Sequence, residues 1–273
     1  MTTPRLETLA ISLDQGVARI ALNRPDKANA INLRMWEDLR EAMRWLGRTN
    51  AARVGILEAR GRHFCAGLDL GTFAELRQLT DNPCEGRARE RLREHILDIQ
   101  DTVTAIERCT KPVIASVHAA CVGGGIDIIA ACDLRYASAH AWFCVKEIDV
   151  GLVADVGTLQ RLPRLVGEGL AREMALTGRR VDGPEAQSMR LVNRCFDSDQ
   201  ALADGVTEIA RSLAAKSPLA LRGTKHMLNH ARDHRIADSL DHVATWNAAM
   251  LYSQDLDEAV TAAREKRPPV FRD

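Results

Sequence analysis

The chain has 273 residues, 46% of them hydrophobic, with 37 basic and 37 acidic side chains. This is ample for a large core, and the zero net charge gives no general attraction to nucleic acid or an anionic membrane. Seven scattered cysteines without a C-x-x-C pair predict reduced core residues and a cytoplasmic location, and no secretory, mitochondrial or peroxisomal address or membrane-spanning run is visible.

In chain order, Leu6 to Leu13 and Val17 to Leu22 alternate in hydrophobicity about Asp14-Gln15-Gly16, which predicts a hairpin. Leu33, Trp36, Leu39, Met43 and Leu46 recur every three or four residues, a helix for which Asn32 is a cap. Residues 54–59 read as a buried strand. After the loop GRHFCAGLDLG, residues 86–109 read as a charged amphipathic helix with the face Leu92, Ile96, Ile99, Val103 and Ile106. A strand at 113–118, a helix opened by glycines and a strand at 133–137 follow. The rhythm is strand, strand, helix rather than simple alternation. From about Thr158 helical patterns dominate, interrupted by a strand at 191–196, and the last of them carry apolar residues on several faces, which requires a partner surface. With no Pro-, Gly- or Ser-rich linker, the expected organisation is a core over 1–198 and a packed-on helical region over 199–273.

The stretch from Cys121 to Asp155 carries the chemistry. The triple glycine Gly123 to Gly125 lets backbone approach a ligand, and amides opening a helix suit developing negative charge. Asp127 lies among Ile126, Ile128 and Ile129, where an acid is costly unless paired or used. Glu147 and Asp155 bracket a second apolar segment. The plain alternative is a tight turn whose acids cap helices or pair with Arg135 and Arg161. Two weaker motifs are HFCAGLDL (63–70), whose small residues open backbone amides to a ligand, and LNRPDKANA (22–30), a polar loop bearing Lys27. His226, His230 and His234 have a zinc-compatible helical spacing, but Lys225, Arg232 and Arg235 make that stretch read as a solvated face, and no metal is expected.

Together these motifs resemble the enoyl-CoA hydratase/isomerase, or crotonase, superfamily. Residues 22–30 are similar to its loop on the nucleotide side, 64–70 to its first oxyanion-hole motif, 121–133 to its glycine-rich helix start, and 158–162 (TLQRL) to the segment after the site. The resemblance implies an α/β spiral of strand-strand-helix turns with a C-terminal helical oligomerisation region, as a homotrimer or dimer of trimers. It implies that the amides of Leu68 and Gly124 hold a thioester oxygen. It also implies that Lys27, Ala28, Ala66, Gly67, Asp69 and Leu70 line the CoA path, and that Lys266 and Phe271 in the tail reach a neighbouring subunit's CoA. No cofactor is implied beyond the CoA of an acyl-CoA substrate.

The acids narrow the resemblance. Glu147 matches the second hydratase glutamate, but Asp127 stands at the first and Asp155 replaces a glycine. The triplet, with VKEIDVGLVADVGTLQRLP, is similar to the Δ(3,5)-Δ(2,4)-dienoyl-CoA isomerase subfamily of fatty-acid β-oxidation. By that resemblance Glu147 is the base at C2, Asp155 the acid at C6 and Asp127 tunes them, although the first two roles are exchangeable. The alternatives are an enoyl-CoA hydratase or monoenoyl-CoA isomerase, and a non-catalytic acyl-CoA-binding protein.

Overall fold

The computed structural model describes residues 2–272. Its elements are β1 (Leu9–Asp14), β2 (Val17–Leu22), α1 (Leu33–Arg48), β3 (Val54–Ala59), α2 (Thr72–Thr80), α3 (Glu85–Arg108), β4 (Val113–Val117), β5 (Ala120–Val122), α4 (Gly124–Ala130), β6 (Leu134–Ser138) and β7 (Trp142–Cys144). These are followed by α5 (Thr158–Val166), α6 (Glu168–Thr177), β8 (Val181–Asp182), α7 (Gly183–Ser188), β9 (Arg194–Phe196), α8 (Asp199–Ala214), α9 (Pro218–Asp233), α10 (Ile236–Met250) and α11 (Gln254–Glu265).

One sheet runs β1-β2-β3-β4-β6-β9 and a smaller one β5-β7-β8. The predicted hairpin is the antiparallel β1–β2 pair, and the larger sheet is parallel from β2 onward. The chain spirals because β4 and β6 join the large sheet while the strands just after them, β5 and β7, pair in the small one. Side chains along a strand alternate between faces. Accordingly Val113, Ala115 and Val117 of β4 enter the main core with α1 and α4, while Ile114 joins Val54, Ile56 and the α8 residues Leu202, Val206 and Ala210 on the other face. Both faces of β4 (VIASV) are thus covered, and every residue of the strand is buried.

Asn32 caps α1 as expected, accepting from the Met35 amide. The predicted face of α3 is only half used. Val103 and Ile106 are buried but Leu92 is exposed, in a helix that packs against α1 and α2. The reading of 225–235 as a solvated face is corrected at Lys225, which is buried. Its Nζ donates to the carbonyls of Ile106 and Lys111 at 3.1 Å and pairs with Asp133 at 2.7 Å. A buried ammonium is tolerable when three acceptors meet its three N–H groups, as here. Among the described residues no group of three or more His, Cys, Asp or Glu could hold a metal, and no helix is long and apolar enough to cross a membrane. All seven cysteines are free.

Candidate active site

The site forms where the parallel strands β2, β3 and β4 end. The segment after β3 joins the small sheet through a bridge between Cys65 and Cys121, and Leu68 bridges Ile31. At Gly67, φ is +96°, a conformation that favours glycine. Gly123, with φ +52°, ends β5, and a Cβ there would lie 3.2 Å from Glu147 Oε1 and 3.7 Å from Gly67 Cα. The two glycines therefore bring two backbones together against Glu147. The next residues, Leu68 and Gly124, present amides that donate to no protein acceptor among the described residues. Gly124 opens α4, where such amides are free by construction.

The three acids singled out in the sequence share this neighbourhood. Asp127 is buried, and its Oδ1 accepts from the Thr158 amide at 2.6 Å and hydroxyl at 2.7 Å. For this residue the helix-capping alternative holds, since Thr158 is the first residue of α5. Burial, with the fields of Glu147 and Asp155 in support, pushes the Asp127 carboxyl up to about 7 against the Thr158 bonds. Glu147 is half-buried, its Oε2 is buried without a partner, and burial chiefly raises its pKa, with Asp155 adding to the effect. Asp155 is reached by solvent yet partly surrounded by protein, and that partial burial raises its pKa.

The raised pKa of Asp127 bears on stability. Between the unfolded value of 3.8 and the folded value of about 7, the folded state keeps a proton that the unfolded state releases, so this residue costs increasing stability as pH rises. Asp127→Asn keeps the acceptor for Thr158 and cannot ionise. The variant should match the native protein near pH 3.5 and exceed it near pH 8 by on the order of 4 kcal/mol in denaturant melts, since each tenfold difference in proton affinity between the two states is worth about 1.4 kcal/mol. Equal stability at both pH values would show that Asp127 is charged at no cost.

Beside the glycines lies a cavity of about 470 Å³ lined by Ala28, His63, Ala66, Trp142, Lys146 and Arg180, among others. Ala28 and Ala66, expected on the CoA path, meet here, where the Ala66 amide donates to the Ala28 carbonyl at 3.0 Å. Lys27 is exposed on the same loop. Arg180, stacked 3.5 Å above the Trp142 ring, was not foreseen, because Arg179-Arg180 reads as surface charge and nothing local ties it to β7. Asp69 has a positional use, since it pairs with Arg24 at 3.0 Å and accepts from the Gly71 amide at 3.1 Å. The Arg24 bond chiefly holds its carboxyl below the usual range. Leu70 stands exposed next to it. Lys266 and Phe271 are not brought to this groove. The Phe271 carbonyl accepts from Arg53 at 2.9 Å, beside Gly16 and Ala214, where β2 and β3 begin, whereas the groove lies where they end.

Two free amides from separate segments, set against carboxylates in an apolar wall, define a class of site able to hold a carbonyl oxygen as it gains charge beside a base. Comparison with known proteins places the chain within that class. Residues 12–273 match the family model described as enoyl-CoA hydratase/isomerase, and the chain belongs to this family. It is 46% identical to the peroxisomal Δ(3,5)-Δ(2,4)-dienoyl-CoA isomerase of Arabidopsis thaliana, over 97% of this chain and 96% of that protein. It is 41% identical to the mitochondrial Δ(3,5)-Δ(2,4)-dienoyl-CoA isomerase of Homo sapiens, over 94% and 78%. Among solved structures, an enoyl-CoA hydratase from Bacillus anthracis superposes with a TM-score of 0.88 at 29% identity, covering 97% of this chain and 99% of the other. One from Mycobacterium smegmatis gives 0.83 at 31%, covering 96% and 98%. The fold is thus the α/β crotonase fold.

The expected cytoplasmic location is overturned, because these dienoyl-CoA isomerase relatives are peroxisomal and mitochondrial. Reduced cysteines could not have told the compartments apart. Burial raises the Cys65 and Cys132 thiols to about 12, so such thiols stay protonated whichever compartment surrounds them.

Proposed function

We propose that this protein is a Δ(3,5)-Δ(2,4)-dienoyl-CoA isomerase of fatty-acid β-oxidation, acting by carboxylate-mediated proton transfer at an oxyanion hole. The observation that carries this reading is that Glu147 and Asp155, two carboxylates of raised pKa and different solvent access, share one site with the free amides of Leu68 and Gly124. A 3,5-dienoyl thioester has its acidic hydrogens at C2. Glu147 adjoins the glycine turn whose amide would hold the thioester oxygen, so its carboxylate is the base that takes the C2 proton. The electron pair spreads from C2 towards C6 and onto the oxygen, where each amide donor contributes about 3 to 4 kcal/mol to the transition state. Asp155, protonated, delivers a proton to C6, leaving the 2,4-diene. Glu147 then holds a proton and Asp155 has lost one, and solvent contact at Asp155 allows the reset. Asp127, through Thr158, ties α4 to the start of α5 beside the two reacting carboxylates.

The CoA moiety would lie along Lys27, Ala28, Ala66 and Gly67, with Asp69 and Leu70 shaping the loop edge, and no cofactor is required. The exposed apolar residues Leu228, Ile236 and Leu240 of α9 and α10 support a homotrimer or dimer of trimers. Lys266 and Phe271 would then serve a neighbouring subunit's CoA. Light scattering that reports a monomer at working concentration would remove this part of the reading.

The direct test offers the purified protein a panel of CoA thioesters. A 3,5-dienoyl-CoA should gain the strong ultraviolet absorbance of a conjugated 2,4-dienoyl thioester. Loss of a 2-enoyl chromophore, without action on the dienoyl substrate, would indicate a hydratase instead, and binding with no spectral change a non-catalytic acyl-CoA-binding protein. Calorimetry should find binding of the thioester but not of the free acid, because the Lys27 loop and the cavity at Ala66 have no use without CoA.

A further inference from the structure

The Asp155 carboxylate is held locally only by its own backbone amide. It makes no hydrogen bond to another residue among the described residues, so its position is inherited from its backbone. That backbone is gripped from outside the site. Gln100 of α3 donates through Nε2 to the Asp155 carbonyl at 2.6 Å. The Arg161 guanidinium of α5 reaches back to the Val156 carbonyl, with Nη1 at 3.4 Å. Between them Gly157, with φ +128°, leaves room for that guanidinium, because a Cβ at this position would overlap Nη1.

The guanidinium is itself fixed. Arg161 meets Glu107 of α3 in a two-pronged pair, Nε to Oε1 at 2.9 Å and Nη2 to Oε2 at 3.0 Å. Glu107 also takes Arg232 of α9 at 2.7 Å, and its carbonyl accepts from Asn229 at 3.0 Å. Burial alone would raise the Glu107 carboxyl, but the two arginines outweigh it and hold it charged. Gln100, Glu107, Gly157, Arg161 and Arg232 line a cavity of about 340 Å³, separate from the cavity at Ala66.

We propose that Gln100 and Arg161, the latter anchored by Glu107, are positioning residues that set where the Asp155 carboxylate stands along the acyl chain. The proposal rests on Asp155 being a reacting carboxylate. Its physical basis is geometric: displacement of a catalytic group by about 1 Å costs on the order of a hundred-fold in rate, and nothing but the backbone restrains this one. Arginine suits the task because its planar fork spans Glu107 and the Val156 carbonyl at once, which a lysine ammonium cannot.

The test measures how the enolate divides between its two fates. With 3,5-dienoyl-CoA in deuterated water, the rate of deuterium entry at C2 of recovered substrate is compared with the rate of 2,4-dienoyl-CoA formation. A general loss of structure lowers both rates together, whereas misplacement of Asp155 changes their ratio. Gln100→Ala should shift the ratio roughly ten-fold, and Arg161→Lys by at least as much, in the direction that Asp155→Asn shifts it. Arg161→Ala should go further, on the order of a hundred-fold, and the milder variants carry the test if that one fails to fold. An unchanged ratio in Gln100→Ala and Arg161→Lys, while Asp155→Asn shifts it, would overturn the positioning role and leave the proposed function standing. An unchanged ratio in Asp155→Asn as well would overturn both.

Discussion

Asp155→Asn should slow conversion of a 3,5-dienoyl-CoA by roughly two to four orders of magnitude, the usual worth of a positioned acid or base, while exchange of the C2 proton with deuterated solvent continues. Asparagine keeps the size and polarity of the side chain but has no titrating proton to deliver at C6. Glu147 and the free amides of Leu68 and Gly124, which form the enolate on the proposed assignment, are untouched. The native pH profile should be bell-shaped. Activity falls at low pH as Glu147 becomes protonated, and at high pH as Asp155 loses its proton, each limb displaced upward because both pKa values are raised. The residual activity of the variant should lack the alkaline limb. Turnover at the native rate would make Asp155 structural, and the hydratase or monoenoyl isomerase would become the better reading.

Glu147→Gln should abolish both turnover and C2 exchange, each by roughly two to four orders of magnitude, because no enolate forms without the base. On the proposed assignment the half-buried Glu147 carboxylate, whose Oε2 has no protein partner among the described residues, is open to the substrate proton. Burial raises the Glu147 pKa, so its ionised form costs stability that the neutral glutamine does not, and stability near neutral pH should be unchanged or slightly raised in the variant. If exchange survives in Glu147→Gln and fails in Asp155→Asn, the two roles are exchanged. The pair of variants therefore assigns each carboxylate to its carbon.

Much of the site was legible because its signals are local. The triple glycine before an apolar helix predicts a close backbone approach, and at Gly123 the chain makes one, against Gly67. The three acids were recognisable as misfits in apolar company, and their mutual electrostatic influence shows that they share a neighbourhood. Other features depend on residues far apart in sequence. Lys225 reads as a surface charge on a helix with several basic neighbours, yet it is buried, because Asp133 and two carbonyls from distant parts of the chain converge on it. The short strand β5 is hidden between β4 and the glycines, since three residues carry no periodicity. The Arg180–Trp142 stack joins two segments that nothing in either local pattern connects.

The strand-strand-helix rhythm, the strand at β4, the cap at Asn32 and the place of the glycine turn were readable from the residues alone, because each follows from periodicity or from the conformational range of a few adjacent residues. Tertiary structure alone decided which amides stay free, that Asp127 binds the start of α5, and that Gln100 and Arg161 grip the loop bearing Asp155. It also decided that the Phe271 tail lies at the opposite end of the sheet from this chain's own groove. Those outcomes are contacts between distant segments, and a hydrogen bond or ion pair across such a distance depends on how the layers pack, which no local pattern of residues records.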